Sequence, residues 1–261
     1  MRQKFVIGNW KMHTTTAEAS HLAMAIAAGM GTDDSVTVAV CPPFPYLALV
    51  GDRLKGSRVA LGAQNLYPAK AGAFTGEVSP TMLLDLGCQY AILGHSERRH
   101  ILGESDAFIH HKVRVALDAG LDVIFCVGET LAERQADQTQ TVLDRQLQGL
   151  DGLSAVTLTH LSIAYEPVWA IGGSGHHATP QQAQDAHAII RHRFGQIFGA
   201  ELAQTLAIHY GGSVNPADAD ALLSRPGVDG VLIGGDSLKA EPFLAIVQAA
   251  IRQTQTPVEA A

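Results

Sequence analysis

Clusters of positive charge are missing from this sequence. Its 261 residues carry 18 Lys and Arg against 25 Asp and Glu, a formal charge of -7, with no cationic run longer than a pair or so. A nucleic-acid partner is therefore not expected, and an anionic ligand has to be held by a local site rather than by the overall field. Long apolar runs are missing too. No segment approaches the roughly 18 uncharged residues of a membrane span, so no membrane partner is expected. Cysteine is scarce: Cys41, Cys88 and Cys126 have neither zinc-like nor CxxC spacing and sit in apolar surroundings. They read as reduced, mostly buried thiols of a cytoplasmic protein. Met1–Lys4 leads directly into a strand, without the apolar region and cleavage site of a signal peptide. Neither GxGxxG nor GxxxxGK[ST] occurs, so a dinucleotide or ATP site is not supported, and the absence of HxH and HExxH argues against a catalytic metal.

What the chain does have is apolar residues, 47% of the total, enough for one large barrel or two small domains. They are arranged in a repeating unit. Phe5–Lys11 leads to a helical Ala17–Ala28, Val36–Cys41 to Pro45–Arg53, and Val59–Asn65 through a longer polar loop to Thr81–Leu86. Tyr90–His95 precedes Asp106–Ala119, Asp122–Val127 precedes Leu131–Leu147, and Leu161–Glu166 precedes Pro180–Phe198. Leu206–Tyr210 then leads to Ala217–Leu223, and Val228–Ile233 to Leu238–Ile251. Strands that lack alternating polar residues need cover on both faces, which a parallel sheet ringed by helices supplies. A doubly wound α/β sheet could use the same pieces. Eight cycles in this length match a closed (β/α)8 barrel of eight parallel strands more closely. No interdomain linker is evident, so residues 1–261 read as one domain, with Thr254–Ala261 a frayed tail that has little to pack against.

In such a barrel the strand ends converge on one face, where function belongs. Glu166 closes the sixth apolar run and is followed by Pro167 and the glycines 172, 173 and 175. Asn9 and Lys11 are two apart at the first exit, so strand periodicity points both to one side and turns Trp10 outward. At the fourth exit, His95 ends its run, and Ser96 and Glu97 can begin a helical turn whose amides favour a neutral imidazole. Glu97 has two readings, a partner for Lys11 or one for Arg98 or Arg99. His100, His110, His111 and His192 read as solvated. Tyr210-Gly211-Gly212-Ser213 and Ile233-Gly234-Gly235 let a ligand approach backbone N–H groups, as a phosphate cradle requires.

A carboxylate, an imidazole, a lysine and an anion cradle suit proton abstraction beside a carbonyl in a small phosphorylated metabolite. Glu166 would take the proton, while His95 and Lys11 stabilise the enediolate oxygen. Because that intermediate can expel phosphate, a closing loop is useful, and Pro167-Val168-Trp169 with the glycines after it suits one. Two rivals remain open. One is an aldolase-like barrel using Lys11 as a Schiff-base nucleophile, and the other is a noncatalytic phosphometabolite-binding protein.

The ordered set of motifs resembles the triosephosphate isomerase family over almost the whole chain. It runs from Asn9-Trp10-Lys11-Met12 through Gly62-Ala63-Gln64-Asn65, Gly94-His95-Ser96-Glu97-Arg98-Arg99 and Cys126-Val127-Gly128-Glu129 to Ala164-Tyr165-Glu166-Pro167-Val168-Trp169-Ala170-Ile171-Gly172, Tyr210-Gly211-Gly212-Ser213 and Gly234-Gly235. The resemblance implies a TIM barrel that interconverts dihydroxyacetone phosphate and glyceraldehyde 3-phosphate without cofactor or metal. By motif position it makes Glu166 the base, His95 the neutral electrophile, Lys11 the fixed cation and Asn9 a nearby polar contact. It assigns Gly172, Ser213, Gly234 and Gly235 to phosphate binding, and Glu97 and Cys126 to support. It also implies a homodimer in which the loop Asn65–Ser79 reaches the partner's site, with Thr75 at its tip and Phe74 exposed.

The sequence departs from the family pattern after Gly172, where Gly173-Ser174-Gly175-His176-His177 is one residue longer and has glycine and histidine where threonine and lysine are frequent. An extra glycine raises the entropy lost when a loop closes. Deleting Gly173 is therefore expected to change the rate of ligand-coupled loop closure, measured by rapid-mixing fluorescence; identical closure kinetics in the deletion variant would count against this reading.

Overall fold

A computed structural model describes residues 2–172 and 178–255. Eight strands, β1 Lys4–Asn9, β2 Val36–Cys41, β3 Val59–Ala63, β4 Tyr90–Leu93, β5 Asp122–Val127, β6 Leu161–Tyr165, β7 Ala207–Tyr210 and β8 Gly230–Ile233, pair in sequence order. All neighbours are parallel, and β8 returns to β1 in the register Phe5↔Gly230 to close the barrel. The doubly wound alternative is thereby excluded.

Each strand is buried on both sides because successive side chains point alternately into two cores. Ile7, Ala39, Cys41, Ile92, Ile124, Cys126, Ala164 and Leu232 pack inside the barrel. Val6, Val38, Val40, Leu61, Leu93, Phe125 and Ile163 face a larger shell shared with the helices, which also holds Trp10. Cys41, Cys88 and Cys126 are buried free thiols, and burial pushes Cys88 up to about 12, far from a reactive thiolate.

Helices Asp106–Ala119 and Pro180–Phe198 form over the residues that their periodicity marks, each started by a hydroxyl cap, Ser105 or Thr179. The expected helix Leu131–Leu147 is instead two, Leu131–Gln135 and Thr139–Gln148. The break falls at Asp137, whose φ of 53° is left-handed, while the Gln138 N–H reaches back to the Glu133 carbonyl at 2.9 Å. Aspartate tolerates that conformation better than most residues, so the first helix ends in a C-terminal cap that periodicity cannot register. The short helices Ala155–Leu158 and Ala200–Thr205 were not expected. The last helix, Ala240–Gln255, takes in Thr254 and Gln255 of the supposed tail, whereas 256–261 lie outside the described residues. No helix among the described residues is long and apolar enough to cross a membrane.

One histidine is built into the barrel interior. His209 on β7 is opposite Ala164, has no solvent exposure, and lies against the Phe5 ring at 4.9 Å. Among the described residues, neither ring nitrogen has a hydrogen-bond partner. Burial, then the neighbouring His187, pushes His209 down to about 3. His187, on helix Pro180–Phe198, is held at about 4 by burial, although its Nδ1 bonds the Gly227 carbonyl at 3.0 Å. The folded state keeps both rings neutral, whereas the unfolded chain takes up protons near the ordinary value of 6.5. Stability contributed by their neutrality is therefore present above 6.5 and lost as pH falls toward the folded values, by about 1.4 kcal/mol per pH unit for each ring. His209→Leu is expected to flatten the dependence of urea-unfolding free energy on pH between 6 and 4 by about 1 kcal/mol per unit; an unchanged slope would assign the acid sensitivity elsewhere.

Candidate active site

The C-terminal ends of the strands surround a cavity of about 320 Å³. Asn9, Lys11 and His95 line one part of it, and Gly172, Ser213, Gly234 and Gly235 another. Seven of the expected site residues thus meet in one place, from five different strand exits.

Lys11 arrives there by an unexpected route. β1 ends at Asn9, so strand alternation does not orient the lysine. Lys11 instead has a φ of 50°, a left-handed conformation that costs a residue with a Cβ about 1–3 kcal/mol. The fold holds it at both ends. Its N–H donates to Asn9 Oδ1 at 3.0 Å, and its carbonyl accepts from Gln64 Nε2 at 2.8 Å, which also donates to the Cys41 carbonyl at 2.8 Å. Its Nζ lies 2.6 Å from Glu97 Oε1. Glu97 is therefore the partner of Lys11. Arg98 pairs with Glu104, and Arg99 with Asp106 and the Gly94 and Cys126 carbonyls. Burial works against the Glu97 charge, but the Lys11 hydrogen bond and nearby positive groups hold its carboxyl below the usual range.

His95 caps the helix Ser96–His100, as its position before a helical turn suggested. Its Nδ1 accepts the Glu97 N–H at 3.2 Å, which leaves the ring proton on Nε2. Nδ1 also stands 3.6 Å from Glu97 Oε2, but two acceptors share no proton across that gap. Nε2 faces Glu166 Oε1 at 3.1 Å, within hydrogen-bonding distance although without hydrogen-bond alignment.

The Glu166 carboxylate, 1% exposed, takes a donor that residue types did not reveal. Its Oε2 accepts the Ser96 N–H at 2.7 Å, the first amide of the His95-capped helix. Two glycines enclose it. A Cβ on Gly211 would stand 2.8 Å from Glu166 Cγ, and one on Gly128 would stand 1.8 Å from the Glu166 carbonyl oxygen. Cys126 lies buried behind, its thiol pushed well above its ordinary value by burial and then by the Glu166 charge. Glu166 does not itself line the cavity.

Across the cavity, the Ser213 N–H donates to the Ala170 carbonyl at 3.0 Å, so this amide is engaged by the chain entering the glycine-rich loop. Among the described residues lining the cavity, Lys11 is the one full cation, and Asp236 in the 3₁₀ turn Gly235–Leu238 is a carboxylate. A wall of this composition can meet an anion with backbone N–H groups around Gly234 and Gly235 and with the lysine. Trp169 is tied down before the loop: its Nε1 donates to Glu129 Oε1 at 2.9 Å, and Arg134 covers its ring at 4.6 Å. Glu129 is fully buried and also accepts the Tyr165 hydroxyl at 3.0 Å, a role unassigned from sequence. Its signal was a carboxylate two residues beyond an apolar strand. Thr75 lies exposed outside this cavity, and the altered stretch 173–177 is outside the described residues. No group of three or more His, Cys, Asp and Glu able to hold a metal occurs among the described residues.

A profile of the triosephosphate isomerase family matches residues 4–250. The triosephosphate isomerase of Syntrophotalea carbinolica is 51% identical over 249 residues, covering 95% of this chain and 98% of its own length. That of Carboxydothermus hydrogenoformans is 50% identical over 252 residues, 96% of this chain and all of its own, and that of Rhodopirellula baltica 48% over 250, or 95% and 98%. With the family profile spanning nearly the whole chain and relatives about half identical over almost their full lengths, the chain belongs to the triosephosphate isomerase family.

Proposed function

We propose that the chain interconverts dihydroxyacetone phosphate and glyceraldehyde 3-phosphate through an enediolate. The observation that carries this reading is the facing pair of Glu166 Oε1 and His95 Nε2, 3.1 Å apart, with Nδ1 engaged as an acceptor. A neutral imidazole can donate Nε2–H to the substrate carbonyl as charge develops there, and Lys11 Nζ adds a positive charge beside it. Glu166 removes the proton from the carbon next to that carbonyl and returns it to the neighbouring carbon. To reach the substrate its carboxylate leaves the Ser96 amide and swings over the cavity. Nothing is oxidised or reduced overall and the base recovers its starting state, so the cycle closes without cofactor or metal. In this proposal Gly172, Gly234 and Gly235 meet the phosphate with backbone N–H groups and Ser213, whose N–H is engaged, with its hydroxyl; Asn9 lies beside Lys11 and Glu97, while Cys126 supports the base from behind. The Lys11 amine donates to Glu97 Oε1 at 2.6 Å, so its nitrogen is engaged by a carboxylate rather than free to attack a carbonyl, which disfavours the Schiff-base alternative.

The active form in this proposal is a cytoplasmic homodimer working in glycolysis and gluconeogenesis. Its support is a set of exposed apolar side chains on loops that all leave the C-terminal ends of strands: Met12 at 94% after β1, Phe74 at 42% after β3, and Ile101 at 76% after β4. Such groups call for cover. Loop 65–79, bearing Phe74 and Thr75, then reaches the partner's site.

Glu166→Gln is expected to keep its affinity for inorganic phosphate while solvent deuterium incorporation into triose phosphate falls at least about 100-fold, the scale of general-base catalysis. Undiminished exchange would remove Glu166 from the role of base. By sedimentation equilibrium the protein is expected at twice its chain mass, and Phe74→Asp at a mass shifted toward one chain; a monomeric wild type with full activity would refute the dimer reading.

A further inference from the structure

Helix Thr139–Gln148 lies outside the barrel, yet Gln146 on it is only 2% exposed and meets the exit of β5. Its Oε1 accepts the Gly128 N–H at 2.8 Å, and its Nε2 donates to the Gly128 carbonyl at 3.2 Å. One side chain thus takes both main-chain groups of one residue, which fixes that residue in height and in tilt. The glutamine is itself held from below, where its own carbonyl accepts His110 Nε2 at 2.7 Å. His110 is half-buried here rather than solvated.

Gly128 is the residue on which Glu166 rests. A Cβ at Gly128 would come within 1.8 Å of the Glu166 carbonyl oxygen, 2.6 Å of its carbonyl carbon and 3.2 Å of its nitrogen. On either side, the Val127 carbonyl accepts the Glu166 N–H at 2.7 Å and the Glu129 carbonyl accepts the Val168 N–H at 3.1 Å. Residues 127–129 therefore form a bed for 166–168, whose outer members bond to the strand they support while the middle one is clamped by Gln146. A glutamate that must swing between the Ser96 amide and a substrate carbon needs a fixed pivot, and this bed is where its main chain is fixed.

We propose that Gln146 is a positioning residue for Glu166, acting through the Gly128 peptide to set the point from which the carboxylate swings. The inference rests on Glu166 being the base. A displacement of about 1 Å at a reacting group costs on the order of 100-fold in rate, so the effect belongs in kcat and not in phosphate binding.

Two variants test it. Gln146→Met keeps the length and apolar volume without either hydrogen bond. Gln146→Glu keeps the shape and, when protonated, both bonds, since its carbonyl accepts the Gly128 N–H and its hydroxyl donates to the Gly128 carbonyl; when ionised it loses the donor. Gln146→Met is expected to lower kcat about 10- to 100-fold with KM and inorganic phosphate affinity near wild type, and to lower the thermal midpoint because the Gly128 N–H and carbonyl lose their partner. For Gln146→Glu, the ratio of its kcat to the wild-type kcat should rise as pH falls from 8 to 5. A wild-type kcat in Gln146→Met, or equal losses of kcat and phosphate affinity, would overturn the inference. Should that variant fail to fold, a pH-independent ratio for Gln146→Glu overturns it alone. Glu166→Gln measured alongside separates the two levels: retained deuterium exchange there removes the base assignment, whereas abolished exchange with an unaffected Gln146→Met removes only the role of Gln146.

Discussion

Glu166 is a carboxylate with 1% of its surface exposed, and a charge withdrawn so far from water is tolerable only where oriented donors replace the water. Much of the site's architecture answers to that constraint. The Ser96 amide at 2.7 Å is the main donor. It exists because β4 ends at Leu93, leaving His95 to cap a helix that starts at Ser96. The same helix start settles the imidazole, because the next amide, that of Glu97, goes to His95 Nδ1. One short turn therefore supplies a donor to the Glu166 carboxylate and another to the His95 ring. The two glycines at 128 and 211 follow from the same crowding, since each approaches Glu166 too closely for any side chain.

The lysine answers to an opposite requirement. A cation at a cavity wall must be held still without being neutralised. Glu97 is suited to this because it meets Lys11 Nζ from the helix side while about four-tenths of its own side chain remains exposed, so solvent screens the pair and its attraction stays modest. The stiffness comes from the main chain instead. Asn9 and Gln64 between them occupy the Lys11 N–H and carbonyl, which makes the left-handed turn affordable and leaves the side chain little freedom of direction.

The barrel was legible in the sequence because its physics is periodic. β2 and β5 and two of the long helices coincide with their apolar patterns, and burial of both strand faces followed from the lack of alternation. The gathering of Glu166, His95 and Lys11 at one end of the barrel was legible too, since they are unusual residue types at the ends of apolar runs. What could not be read was the work of backbone atoms and distant amides. Ser96 acts through its N–H, which any residue but proline supplies. Gln64 and Gln146 look like ordinary polar residues until the groups they pair with are in place. The break at Asp137 and the left-handed Lys11 depend on single dihedral angles, to which hydrophobic periodicity is blind.

The region leading into the loop shows how rigidity and motion are divided. Glu129 is fully buried and receives the Tyr165 hydroxyl, the Trp169 indole N–H and an Arg134 nitrogen at 3.1 Å. Tyr165 belongs to the strand and Trp169 to the 3₁₀ turn after it, so one carboxylate ties both sides of Glu166 to the β5 exit. Burial, and then the Glu129 charge, push the Tyr165 phenol far above its ordinary value, which keeps it a donor throughout the working pH range. The main chain around Glu166 is consequently anchored before and after the residue. Movement of the Glu166 carboxylate is left to its side-chain torsions, while the Ser213 N–H to Ala170 carbonyl bond links the entry of the glycine-rich loop to the β7 exit. A carboxylate that pivots on an anchored peptide can change its hydrogen-bond partner by rotation alone, without carrying its strand with it.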